Sequence, residues 1–591
     1  MRSFRINRSY LPLLKFLAKL KINEQILLIA LSFGVGIATG FGAIAFRWAI
    51  LSCKNFFLSP QGVILSHISA YGDWLIPLVP AIGGLLVGPI VYRYAQEARG
   101  HGVPEVMEAV ALKGGVIRPR VAVAKAVASA ICIGSGGSAG REGPIVQIGS
   151  SIGSTVGQFF HMSGNRVKIL VGCGAAAGIS AVFNAPIAGV LFALEIVLGD
   201  FTIPTFGPII LSSVLASVIS RAFLGNQPAF SVPSYSLVSA WEIPLYMGLG
   251  ILAGFVAVLY IKALYKTEDL FEALKITDVY KPALAGLMLG IIGVFFPQIF
   301  SDGYESITSA LRGEVVVWLM FLLVFLKMIA TSLTLGSGNS GGIFAPSLFM
   351  GAMLGGFYGG IMHAIFPHVT ASTGAYALVG MSAVVAGAIH APITGTLLIF
   401  EMTGDYRIIL PVMLASVIST FLADHLQRDS IYTLKLRRRG VSLKAGKDKS
   451  ILEGMLVREV MTTTWQTVPQ DMPLPQLLRF VEESRESVFP VLNRDGELKG
   501  MLTLQDIRPV VTQRVLEDLV IVEDIMMHYP PTLSPDENLG SALAKFEARD
   551  LDGLPVVDQH DPKKLLGVLR RADIISFYNK RLLEQEVLKR A

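Results

Sequence analysis

Charged residues are scarce in this 591-residue chain: Asp, Glu, Lys and Arg together make up 16%. A soluble globular protein carries about a quarter, so an ordinary water-soluble fold for the whole chain is excluded. Acids are missing altogether from the first 21 residues, which hold Arg2, Arg5, Arg8, Lys15, Lys19 and Lys21. Cysteine is nearly absent. Cys53, Cys132 and Cys173 lie in or beside apolar runs at no metal-ligand spacing, and read as small buried hydrophobes. No His-Glu-x-x-His pattern occurs, which leaves an intramembrane metalloenzyme without its usual mark. The net charge of +6 is too small over this length to argue for nucleic acid.

What the chain has in abundance is apolar length. Apolar residues make up 52% and the mean hydropathy is +0.58. Runs of roughly 20 residues, enough to cross a bilayer, recur from Ile26 to about Leu422, for example Ile26 to Phe46, Leu245 to Leu264, Leu319 to Leu335 and Ile408 to Leu422. The chain therefore reads as an all-α polytopic membrane protein, many of its runs broken by Gly and Pro. A second basic cluster, Lys435, Arg437, Arg438, Arg439, Lys444 and Lys447, follows the last run. Basic flanks stay on the cytoplasmic side, so both termini are expected inside, in the cell (inner or plasma) membrane, with an even number of crossings. The basic N-terminus does not read as a secretory signal, because its apolar run is too long and no A-x-A-type cleavage site follows.

Two pairs of segments repeat in order. Gly134-Ser-Gly-Gly-Ser-Ala-Gly-Arg-Glu-Gly-Pro144 matches Gly336-Ser-Gly-Asn-Ser-Gly-Gly-Ile-Phe-Ala-Pro346, 202 residues later. Ala185-Pro186-Ile187, with Gly189, Leu191 and Glu195, matches Ala391-Pro392-Ile393, with Gly395, Leu397 and Glu401, 206 residues later. Duplicated halves with Gly/Pro-interrupted segments point to a transporter whose site lies near the midplane between them. If each half crosses an odd number of times, the halves are inverted and the total is even.

Each Gly/Ser-rich stretch leads straight into an apolar run, which places a helix N-terminus inside the membrane. The first turn of a helix leaves N–H groups unpaired, and the macrodipole adds about +0.5 charge there. Irregular backbone is tolerated at that depth only where it lines a cavity, so such ends favour an anion. Gly100-His101-Gly102-Val103-Pro104 is a third such start. No Lys-Ser or Lys-Thr follows any of these loops, which disfavours a nucleotide P-loop. A carboxylate at this depth costs about 2.5–3.5 kcal/mol on insertion scales. Glu142, set among anion donors, reads in two ways: a tethered competitor released by protonation, or a structural ion pair with Arg141. Glu195 and Glu401 read as groups that satisfy buried backbone or helix ends rather than proton carriers. Phe344 and Tyr432, taken alone, read as packing aromatics.

Over residues 25 to 435 the chain closely resembles the CLC family of chloride channels and proton/chloride exchangers. The motifs that carry the resemblance are Gly140-Arg141-Glu142-Gly143-Pro144, Gly342-Ile343-Phe344-Ala345-Pro346 and Phe183-Asn-Ala-Pro-Ile-Ala-Gly-Val-Leu-Phe192. The resemblance implies a homodimer with one anion pathway per subunit and inverted halves in each. It implies Glu142 as the gating glutamate, the amides of Ile343 and Phe344 on the central anion, and the Tyr432 hydroxyl closing the inner side. Two departures stand out. The family's first loop commonly reads Gly-Ser-Gly-Ile-Pro, and here His101 replaces the serine beside Gly102; its imidazole either donates to the anion or turns away. Exchangers of the family often place an inner proton glutamate one residue after Glu195, where this chain has Ile196. The reading adopted is proton/chloride antiport, with a passive voltage- or pH-gated channel as the alternative. A divalent-cation transporter would need several acids facing the pore, and the membrane region offers Gly/Ser-rich helix starts instead.

Past the basic segment the composition becomes that of a soluble α/β module. Val488 to Leu492 reads as a strand, Asn493 to Gly496 as a turn, then a strand to Leu502 and a helix capped by Thr503. The pattern returns at Leu554 to Asp558 and Gly567 to Asp573. The tandem resembles a cystathionine-β-synthase (CBS) domain pair. In that family Gly-x-x-Thr-x-x-Asp, here Gly500 to Asp506, often binds an adenine nucleotide, which implies Thr503 toward phosphate and Asp506 on the ribose, with Asp573 as the second copy's equivalent. Arg570 stands where that copy's Thr would be. A purely structural dimerisation module remains the other reading. The expected divisions are 1–23 (basic N-terminus), 24–434 (transport domain, repeats about 24–225 and 240–434), 435–455 (basic linker), 456–515 and 516–591 (the two CBS copies). Beyond chloride, protons, lipid and a second subunit, no cofactor is required.

Overall fold

The computed structural model describes residues 24–577 apart from 60–63, 66–71, 226–229, 231–234, 236–237, 405, 442–454, 485, 512–519, 550 and 560. The basic N-terminus and most of the basic linker lie outside the described residues. The chain divides into two compact units, Met1–Ser442 and Leu443–Ala591.

Unit one is helical. Its first half comprises α1 (Glu24–Phe57), α2 (Leu78–Pro89), α3 (Val103–Leu112), α4 (Arg120–Gly134), α5 (Glu142–Phe159), α6 (Gly164–Phe183), α7 (Pro186–Phe192) and α8 (Ile203–Leu224). The second half repeats the order as α9 (Glu242–Ala273), α10 (Lys281–Phe295), α11 (Tyr304–Leu311), α12 (Val317–Gly336), α13 (Phe344–Ile365), α14 (Thr373–Ile389), α15 (Pro392–Thr403) and α16 (Ile409–Leu426), and α17 (Thr433–Arg438) follows. Among the described residues, eight helices are long and apolar enough to cross a membrane. Large apolar side chains such as Phe421 and Ile203 stand exposed on the outside of the unit, a surface that suits lipid and not water.

Lipid tails are as apolar as leucine, so close backbone packing must hold such helices together. Glycine supplies it. A Cβ on Gly174 of α6 would run into the Gly149 carbonyl of α5, and a Cβ on Gly380 of α14 would run into the Gly351 carbonyl of α13. Each contact is the repeat-mate of the other. The halves are also inverted. Gly140 and its equivalent Gly342 form an antiparallel bridge, with N–H···O bonds of 2.8 and 2.7 Å exchanged in both directions. Equivalent segments that pair antiparallel must run in opposite directions.

Unit two holds two hairpins with flanking helices. β1 (Val468–Pro469) pairs parallel with β2 (Val488–Leu492), which pairs antiparallel with β3 (Leu498–Thr503), which pairs with β4 (Met527–His528). α18 (Leu474–Glu483) and α19 (Leu504–Val511) flank this sheet. The second copy supplies α20 (Leu539–Arg549) and the antiparallel pair β5 (Gly553–Val557) and β6 (Leu565–Arg570). One apolar core joins both copies, with Val488 and Met501 of the first packed among Phe546, Leu554 and Leu569 of the second.

Candidate functional site

Three helix starts meet in the middle of unit one. The Gly140–Gly342 bridge ties the approach to α5 against the approach to α13. Gly100 joins the same ladder, its N–H donating to the Asn339 carbonyl at 2.9 Å and its carbonyl accepting from Gly341 at 3.2 Å. Glycine is needed at Gly102, the N-cap of α3, where φ is +85° and a Cβ would lie 2.7 Å from Gln147 Oε1. The loops 100–104, 134–144 and 336–346 thus bring their helix N-termini together, as the sequence reading requires. The amides of Ile343 and Phe344 precede the first intrahelical bond of α13, which runs from Ser347 N to Ile343 O at 3.0 Å.

Glu142 is 1% exposed, and its carboxylate sits at this convergence. Oε2 accepts from the Ala345 amide of α13 at 3.3 Å, and Oε1 accepts from the Tyr304 hydroxyl at 2.9 Å. A Cβ on Gly140 would collide with the same carboxylate. Of the two readings of Glu142, no ion pair within 4.0 Å joins it to Arg141 among the described residues. Arg141 instead holds its guanidinium 4.7 Å from the centre of the Tyr304 ring.

Phe344 is buried between Phe183, at 5.7 Å between ring centres, and Phe192, at 6.3 Å. These two aromatics end the Phe183-to-Phe192 motif. Tyr432 stands at the start of α17, in a segment fixed by Ile431 N to Ala388 O at 3.0 Å and Tyr265 Oη to Ile431 O at 2.5 Å. Its ring centre lies 5.6 Å from that of His101. His101 is 3% exposed, and its Nδ1 has no hydrogen-bond partner among the described residues. A buried polar atom without a partner costs about 1–3 kcal/mol, so a guest that supplies the bond is favoured there. Ile196 is buried in the π-helical turn Ala193–Leu198.

Glu195 and Glu401 cap helices of the opposite half. Glu401 accepts from Ile187 N at 3.0 Å and Ala188 N at 2.7 Å, at the start of α7. Glu195 accepts from Thr394 N at 2.8 Å and Thr394 Oγ1 at 2.6 Å, at the start of α15. The helix-end reading of both residues agrees with these contacts.

Sequence reasoning passed over Tyr304, Gln147, Lys125 and Lys327. Lys125 is fully buried, and its Nζ donates to the carbonyls of Ala98 at 3.0 Å and Gly100 at 2.6 Å. Lys327, also fully buried, donates to Ile299 O and Ser301 O, both at 2.9 Å. Each ammonium steadies the loop that precedes a short helix, α3 or α11. The signal was available, because Lys327 stands 202 residues after Lys125. A cavity of about 740 Å³ opens beside α3, lined by Arg93, Lys113, Arg118, Arg120, Glu105 and Gln147 among others.

Residues 83–424 match the sequence profile described as voltage gated chloride channel. The chain belongs to that family. Membership in the CLC chloride channel family assigns it chloride transport, and residues 457–512 and 522–580 each match the CBS domain. The ClcB-like chloride channel protein of Ralstonia nicotianae is 35% identical over 408 residues, covering 68% of this chain and 95% of that protein. Chloride channel protein CLC-f of Arabidopsis thaliana is 32% identical over 634 residues, covering 92% of this chain and 79% of that protein. Among solved CLC structures, a slow cyanobacterial Cl−/H+ antiporter superposes with a TM-score of 0.65 at 27% identity, over 70% of this chain and 97% of its own. A eukaryotic CLC transporter shares the fold at a TM-score of 0.70 and 22% identity, over 93% of this chain and 99% of its own.

In the CBS pair, Asp506 Oδ2 accepts from Thr503 N at 2.8 Å and Thr503 Oγ1 at 2.6 Å. Thr503 thus takes the N-cap position of α19, and Asp506 reaches back as the third helical residue does in a capping box. In the second copy Arg570 takes that place. Its guanidinium pairs with Asp573 at 2.8 Å and with Glu486 at 2.8 Å.

Proposed function

We propose that this protein exchanges chloride for protons across the cell membrane, with Glu142 as its gate. The observation that carries the reading is the Glu142 carboxylate lying against the Ala345 amide where three helix starts converge. An ionised carboxylate there takes the place of a chloride ion, and protonation removes its claim on the amide. The vacated position then passes an anion, so each opening consumes a proton. His101, Gly102, Ile343, Phe344 and Tyr432 bind the anion further in: amides at the helix starts, the Tyr432 hydroxyl, and the unpartnered Nδ1 of His101 when it carries its proton. The arginines of the cavity beside α3 gather anions at its mouth. Similarity to the cyanobacterial Cl−/H+ antiporter supports exchange.

The protein acts as a homodimer with both termini cytoplasmic. The exposed apolar side chains of α8 and α16, Val218 and Phe421 among them, offer surface for a second copy as well as for lipid. An adenine nucleotide binds the first CBS copy at Thr503 and Asp506. Asp573, already paired with Arg570, is the weaker place for one.

A passive channel is the second reading, and buried Ile196 favours it, because isoleucine cannot relay a proton. Reconstitution in liposomes separates the two. Exchange predicts uphill proton movement driven by a chloride gradient; chloride flux with no such movement leaves the channel.

A further inference from the structure

We infer that Tyr304 is a latch on the Glu142 gate, a positioning residue whose hydroxyl holds the ionised carboxylate in the closed place. This rests on the gate reading above. The Tyr304 hydroxyl donates to Glu142 Oε1 at 2.9 Å, 162 residues away in sequence. Its ring has two close partners. Phe230 stacks on it, with centres 5.3 Å apart and planes at 15°, and the Arg141 guanidinium lies 4.7 Å from its centre. A ring in contact with both an aromatic and a cation has little freedom to swing its hydroxyl away.

The backbone beneath is fixed as well. Tyr304 is the first residue of α11, and Gly303 before it has φ of +78°. A Cβ at Gly303 would press on the Phe349 ring at 2.7 Å. Lys327 anchors the loop through the carbonyls of Ile299 and Ser301. A buried ammonium in α12 thereby sets where the tyrosine begins.

A donor on an ionised carboxylate makes a stronger bond than the same donor on a neutral acid. The latch therefore grips the closed, ionised gate and slackens when a proton arrives. Other groups also face this carboxylate: Arg141 from its own turn, Asp302 ahead of α11, Tyr432 across the site and the Ala345 amide of α13. Arg47 of α1 lies within electrostatic reach of Arg141 and Tyr304. Removing only the hydroxyl leaves all of these in place.

The test is Tyr304→Phe in the full chain, reconstituted in liposomes, with chloride efflux followed against pH beside Glu142→Gln. The phenylalanine keeps a ring for both contacts and loses the donor. Loss of a bond to a charged acceptor moves half-maximal flux upward by about one to two pH units, because the gate then takes its proton at lower acidity. Added to Glu142→Gln, the same change has no further effect on the pH profile. If Glu142→Gln flattens the profile and Tyr304→Phe keeps the wild-type midpoint, the latch is overturned and the gate stands. If Glu142→Gln itself keeps the wild-type profile, both fall together. A midpoint shift by Tyr304→Phe that persists in the double variant also overturns the latch.

Discussion

The two halves of the membrane unit are built with the same struts and differ at the site. Lys125 and Lys327 each hold two loop carbonyls. Ser129 bonds Ser340 at 2.9 Å, and their mates Thr331 and Ser138 bond at 3.1 Å. Glu195 and Glu401 each cap a helix of the other half. Gly102 and Gly303 both cap short helices with positive φ. The symmetry then fails within a few residues. Arg141, Glu142 and Gly143 stand where the second half has Ile343, Phe344 and Ala345, and Val103 stands opposite Tyr304. One half brings a carboxylate to the convergence, and the other brings an aromatic ring and the amide that the carboxylate covers. Scaffold is shared and chemistry is divided, so under the proposed function the gate would stand on one flank only.

Replacing the unmatched carboxylate should have the largest effect. Glu142→Gln is expected to abolish the proton dependence of flux while anions still pass, read as chloride efflux with and without a pH gradient. Retained proton dependence would return the asymmetry to mere packing. The matched lysines come next. Lys125→Met and Lys327→Met each strand two buried carbonyls and should each cost about 2–5 kcal/mol of stability. Thermal unfolding in detergent checks this, and clearly unequal losses would break the equivalence of the halves. Tyr432→Ala removes one hydroxyl donor and should lower the preference for chloride over nitrate several-fold, measured by competition in flux assays. Unchanged preference removes Tyr432 from the site. Glu195→Gln and Glu401→Gln weaken one helix cap each, by about 1 kcal/mol. Their similar, small drops in unfolding temperature would sharpen the comparison.

Much of this was legible in the residues. Apolar runs broken by Gly and Pro marked the helices, and two matched motifs at nearly one spacing marked the duplication. The three Gly-rich starts were visible because a breaker followed by an apolar run is a local pattern. Glu195 and Glu401 were readable as caps, but which helix each one caps was not, since the partner lies about 200 residues away in the opposite half. Tyr304 was missed for the same reason. Nothing near it in sequence differs from an ordinary tyrosine at a helix start, and its meaning comes from Phe230, Arg141 and Glu142, all distant in the chain. For Arg141, adjacency to Glu142 suggested an ion pair, and what the sequence did not display is that its guanidinium lies 4.7 Å from the centre of the Tyr304 ring. In the CBS pair the hairpins followed from alternation and turn residues. The engagement of Asp573 by Arg570 follows the three-residue spacing between them, which the sequence displays and only the side-chain geometry explains.

The bond from Ala345 to the Glu142 carboxylate spans 203 positions of chain. Ribosomes add about 5–20 residues per second, so roughly 10–40 seconds separate the synthesis of the two partners. Throughout that interval the newborn first half holds an acidic group whose amide does not yet exist. The first half is thus made well before its complement, and a truncation anywhere before residue 345 leaves that acid without the Ala345 amide.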